Sequence, residues 1–157
     1  MGRNDKCEPK IKARLIAYSD EQKTLDWERD QLDMLRMRVY GPKTSNISDM
    51  PRPTSTCFDK MNEDVEMLIE KEEKIKNLTE RHSTERRAIE KLISSLKKIE
   101  ERKVITSRYI YGKDWNDVMD DLFGDREDFL DKRESYYTRV HRIHGRALVN
   151  LDAVAYP

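Results

Sequence analysis

Leu15, Gln22, Leu25, Leu32, Leu35 and Val39 recur at spacings of three, four and seven, with charged residues between them. That period predicts a helix over 11–39. The stretch "GPKTSNISDMPRPTST", residues 41–56, then gathers three of the five prolines with Ser, Thr and Asn, and predicts a loop. From Phe58 to Arg102 the pattern turns helical again. Met61, Val65, Leu68, Ile75, Ile89, Ile93 and Leu96 hold heptad-like spacing, with Glu72, Thr79, His82 and Arg86 on the same stripe between its apolar ends. One helix over 58–102 would be roughly 65 Å long. Its stripe needs partners: helix 11–39, a second copy of the chain, or both. The expectation is an antiparallel coiled-coil arm over 1–100 that supports self-association, with His82 as an interhelical hydrogen-bonding residue.

Residues 104–151 have a different texture. Val104, Ile105, Tyr109 and Ile110 close a short helix that ends at Gly112, a natural C′ position. Asp114 is placed to cap the next helix, with Asp117 suited to its first turn. Trp115, Val118, Met119, Leu122 and Phe123 fall on one helical face, and Gly124 ends that helix. Asp125 is placed to cap the last helix. Val140, Ile143, Ala147 and Leu151 mark the apolar side of that helix. Between them, Phe129, Arg133, Tyr136 and Tyr137 keep the helical phase, which favours one long helix; Ser135 as a fresh N-cap is the rival. Two short helices followed by a longer one form the unit that helix-turn-helix DNA readers use. The fold class is therefore all-α: an elongated helical arm followed by a small helix-turn-helix domain over 101–157.

Charge is segregated inside that second part. Residues 114–131 carry eight acids against Arg126 alone, whereas 132–146 carry Lys132, Arg133, Arg139, Arg142 and Arg146 against Glu134 alone. Tyr136, Tyr137, Thr138 and His141 add stacking and hydrogen-bonding groups suited to phosphates and base edges. These nine residues, Lys132, Arg133, Tyr136, Tyr137, Thr138, Arg139, His141, Arg142 and Arg146, are the candidate DNA-facing set. A solvated helix face is the competing reading of the same stretch. The whole chain has 31 basic and 31 acidic residues, which excludes a uniformly basic nucleic-acid binder but permits a local patch.

Other chemistry has little support. His141 and His144 lie three apart but lack a third metal ligand. "GPKTS" lacks the spacing of a phosphate-binding loop. No spaced carboxylate pair or nucleophile–base set is legible, so neither an enzyme nor a cofactor is expected. Trp27 and Trp115 read as packing residues. Gly145 inside the last helix costs about 1 kcal/mol relative to Ala; close packing against a neighbouring helix would explain it, and so would plain tolerance. Cys7 and Cys57 are too few for a disulfide framework. No long apolar run and no signal-peptide core occur, so a cytoplasmic protein with no membrane partner is expected.

The stretches "ERKVITSRYIYGKDWNDVMDDL" and "RVHRIHGRALVNL" resemble the C-terminal half of the ArpU/RinA-type late transcriptional regulators of phages of low-GC Gram-positive bacteria, whose C-terminal domain is similar to the helix-turn-helix of sigma factors. The resemblance implies Trp115, Val118 and Leu122 as motif core, and Val140, Ile143 and Leu148 as recognition-helix core. It implies Thr138, Arg139, His141 and Arg142 facing duplex DNA, activation of late genes in the bacterial host cytoplasm, and contact with host RNA polymerase; the helical arm is expected to supply a homodimer whose two recognition helices address two half-sites. One departure stands out: "GDREDFLDKRESYY", residues 124–137, intervenes where the family has a turn of a few residues. Two rival functions remain open. One is a small terminase subunit-like packaging protein, and the other is a protein-binding inhibitor whose acidic 114–131 segment mimics nucleic acid.

Overall fold

The computed structural model describes residues 9–42 and 55–157, with the side chains of 55–59 outside the description. Within this range the chain is all-α and no strand occurs. The expected loop therefore lies largely outside the described residues, as does the side chain of each cysteine.

Helix α1 spans Lys10–Tyr40 and α2 spans Ser55–Ser94. Neither contains Gly or Pro. α1 stops where Gly41 donates to the Met37 carbonyl at 2.8 Å and Pro42 can no longer extend the ladder. α3, Ile99–Ile105, runs directly into a π-helical turn over Thr106–Ile110. α4 spans Trp115–Phe123 and α5 spans Arg133–Ala155.

The single helix expected over 58–102 is corrected: α2 ends at Ser94 and a turn precedes α3. The apolar phase hid the break because Ile93 and Leu96 stay buried across it. Two serines make it. The Ser94 and Ser95 hydroxyls donate to the carbonyls of Lys91 and Leu92 at 2.7 and 2.5 Å, competing with the helical ladder. Arg102 Nε then satisfies the freed Leu96 carbonyl at 2.6 Å.

The division expected at residue 100 also moves. One compact unit joins Met1–Glu21 to Ser83–Pro157, and the other is Gln22–His82. The physical reason is the first unit's core, in which Ile11, Leu15 and Tyr18 of α1 cluster with Ile89, Ile93 and Leu96 of α2's end, with Ile105, Tyr109 and Ile110, and with Ala147, Leu148 and Leu151 of α5. The main-chain N–H of Ile11 donates to Asp152 Oδ1 at 2.9 Å, so α1 takes a cap from the far end of α5. A second cluster in the same unit holds Val104, Val118, Met119, Phe123, Phe129, Tyr136, Val140 and Ile143. α5 therefore serves both clusters, its first half one and its second half the other.

In the other unit, α1 and α2 run antiparallel. Leu32 and Leu35 pack on Leu68 and Ile75, and Arg36 pairs with Glu72 at 2.8 Å. Glu28 is buried and takes Lys74 and Lys71 at 2.6 and 2.9 Å. Bonding to Lys74 and then Lys71 holds its carboxyl below the usual range. Most of the α2 stripe is covered within one chain: Leu68, Ile75, Ile89, Ile93 and Leu96 are buried without a second copy, whereas Met61 near its start is 42% exposed. Trp27 departs from its expected packing role. It is mostly exposed, with Lys71 Nζ 5.7 Å from its ring centroid. His82 is buried.

Candidate nucleic-acid interface

α4 is set by the signals its sequence carries. Gly112 has φ +65°, a left-handed conformation that L side chains rarely adopt, and it ends the π-helical turn. Asp114 caps α4 by accepting from the Asp117 N–H at 2.9 Å. Val118, Met119 and Phe123 are buried, and Trp115 and Leu122 pack beside them. Among the described residues no helix is long and apolar enough to cross a membrane.

The connector before α5 differs from both sequence alternatives. Residues 124–132 form successive turns, α5 begins at Arg133, and neither Asp125 nor Ser135 caps it. Phe129 is buried from within the turns, which is why its phase read as helix. Asp128 organises this segment. It pairs with Lys132 at 2.9 Å and accepts from the Tyr136 hydroxyl at 2.7 Å. Bonds from Lys132 and then Tyr136 hold its carboxyl low, and the Asp128 carboxylate raises Lys132 in turn.

α5 buries Tyr136, Val140, Ile143, Ala147, Leu148 and Leu151. Tyr136 is thus a correction to the DNA-facing set: it stacks on Phe123 at 4.9 Å between ring centroids and belongs to the core. The other eight candidates divide by what holds them. Lys132 is tied to Asp128. Arg133 lies 6.0 Å from the Phe129 ring centroid. Arg139 lies 5.0 Å from the Phe123 centroid, with Glu100 3.6 Å from its Nη2. Thr138 donates back to the Glu134 carbonyl at 3.1 Å. His141 is half-buried between Trp115 and Tyr137, at 4.4 and 4.7 Å. Arg142 and Arg146 are exposed, and neither has an ion-pair or hydrogen-bond partner among the described residues. The basic stretch thus carries two uncompensated guanidiniums one helical turn apart, flanked by cations already committed to acids or rings.

Behind this face lies a cluster that sequence spacing did not show. His144 Nε2 is 3.0 Å from the Tyr109 hydroxyl, Trp115 is edge-on at 4.9 Å, and Arg108 covers Trp115 at 4.8 Å. Burial, then the positive charge of His141, Lys12 and Arg108, pushes the His144 imidazole down to about 4. His144 is therefore neutral near pH 7, and its ring serves packing between the π-helical turn, α4 and α5. No group of three metal-ligating side chains occurs among the described residues. On the acidic side, Asp121 is held by Lys113 at 2.7 Å and by the Ser107 hydroxyl at 3.0 Å.

Gly145 is not a close-packing glycine. It is exposed, and a Cβ there would meet nothing within 4 Å.

No family model, no curated protein and no solved structure matches this chain.

Proposed function

We propose that the protein is a sequence-specific duplex-DNA-binding regulator that reads its site with α5, in the manner of a helix-turn-helix recognition helix. The observation that supports this most directly is the pair Arg142 and Arg146, solvent-facing and without partners among the described residues, on a helix whose opposite side is buried in two core clusters. Arg is the side chain that binds the major-groove edge of guanine bidentately. Arg139 and Arg133, stacked on rings of the core, suit phosphate contacts at the flanks. Activation of phage late genes, and contact with host RNA polymerase, follow from the sequence resemblance alone.

The test begins with selection of bound duplexes from a random pool. Arg142→Ala should weaken binding to the selected site by about 1–3 kcal/mol, roughly 5- to 150-fold, with a smaller loss on random DNA. Lys132→Ala should change both affinities little, because its ammonium is held by Asp128. Unchanged affinity of Arg142→Ala and Arg146→Ala for both DNAs would remove α5 as the reading helix.

Two copies on two half-sites would complete this reading. Since most of the α2 stripe is covered within one chain, the pairing surface we propose is the exposed apolar line Trp27, Met34 and Met37 on α1. Sedimentation of the full chain at tens of micromolar should show a dimer that Met37→Glu returns to monomer. A monomeric wild type at that concentration would rule this surface out.

A further inference from the structure

An exposed glycine in the middle of a long helix forgoes stability, and no contact among the described residues calls for it. Gly145 lies near the midpoint of α5, with ordinary helical φ and open space where a Cβ would be. Alanine would fit without strain and would remove backbone freedom from the unfolded chain, so the position forgoes stability.

Its neighbours say what kind of surface this is. Arg142 is one turn before Gly145 on the same face, Arg146 is adjacent, and Val149 is exposed one turn beyond. The two cations have no partners among the described residues. A backbone laid bare between two free guanidiniums matches a polyanion with a groove, where a helix seats as deeply as its own surface allows.

We infer that Gly145 is the point of closest approach between α5 and duplex DNA, and so a residue that determines specificity. Resting on the DNA-reading assignment above, this adds a mechanism to it. Without a Cβ at 145, α5 sits deep enough in the major groove for Arg142 to reach a base edge. A side chain at 145 holds the helix off, and the guanidinium then stops at phosphates. Specific binding falls while electrostatic, sequence-independent binding persists.

The experiment compares the full-length wild type, Gly145→Ala and Gly145→Leu on the selected duplex and on a random duplex, with thermal denaturation of each. Gly145→Ala should raise Tm by ~2–4 °C, the shift that removing a mid-helix glycine gives in a chain of this size. It should also weaken binding to the selected duplex tenfold or more and leave the random duplex within twofold. Gly145→Leu should lose most of the remaining discrimination. A higher Tm with selected-site affinity unchanged within twofold in both variants overturns the inference, because the glycine would then be merely tolerated. A wild type that selects no duplex overturns the DNA-reading assignment itself, and that result comes before any variant is made.

Discussion

Phe123→Ala is expected to destabilise the protein by about 3–5 kcal/mol, the range for emptying a large aromatic site in a packed core. Phe123 is 2% exposed and ends α4 against α5. Its ring stacks on Tyr136 and is covered by Arg126 and Arg139 at 5.5 and 5.0 Å. Truncation therefore opens a cavity between two helices and strips Arg139 of its aromatic support, while Arg126 keeps the Tyr136 ring at 5.9 Å. Set against a total stability of about 5–15 kcal/mol, the change would leave the unit marginal near 37 °C. Denaturant unfolding followed by circular dichroism measures it, with Leu130→Ala, at an 80% exposed position, as the comparison. A loss below about 1 kcal/mol would mean that α4 is not anchored through this ring.

Acid should act through His144. Its folded pKa of about 4 lies below the ordinary value near 6.5. As pH falls through 6.5, the unfolded chain takes up a proton at this position, while the folded chain does not until about 4. The contribution of the neutral, buried ring is therefore complete above pH 6.5 and is lost progressively between 6.5 and 4. Its size, reduced for the ring's partial exposure, is on the order of 1–3 kcal/mol. His144→Gln keeps a hydrogen-bonding group for the Tyr109 hydroxyl and removes the titration, so its stability should fall less over that window. Parallel stability profiles for the two proteins would exclude His144 as the source. Asp128, Asp121 and Glu85, the last paired with Arg14 at 2.6 Å, have carboxyls held low by their partners and lose their contributions only further toward acid.

Periodicity carried most of the fold. α1 was legible because Leu25, Leu32, Leu35 and Val39 obey it without interruption, and α4 because Asp114 and Gly112 mark its start by mechanisms that depend only on local residues. The break after Ser94 was not legible, since a hydroxyl's choice between solvent and a backbone carbonyl leaves no periodic trace. Phe129 shows the same limit in reverse: it keeps helical phase and is buried, yet the backbone there turns. The candidate site was partly legible. The apolar line Val140, Ile143, Ala147 and Leu151 fixes which way α5 faces, and Tyr136, four residues before Val140, belonged to that line by its own spacing. Its hydroxyl drew it into the polar set, but the hydroxyl's partner is Asp128. Long-range pairings such as Asn150 Nδ2 donating to Glu101 at 2.9 Å, or Tyr109 with His144, have no signature in local spacing.

The bond from Ile11 to Asp152 joins residues 141 positions apart. On a ribosome adding about 5–20 residues per second, roughly 7–30 s separate the synthesis of these two partners. Throughout that interval Ile11, Leu15 and Tyr18 have no α5 to cover them, whereas the 22–82 hairpin has all of its own residues as soon as His82 emerges. The nascent chain thus holds one half that can fold locally and another that must wait. A transcript cut short before Leu148 yields a protein that cannot close its first core at all.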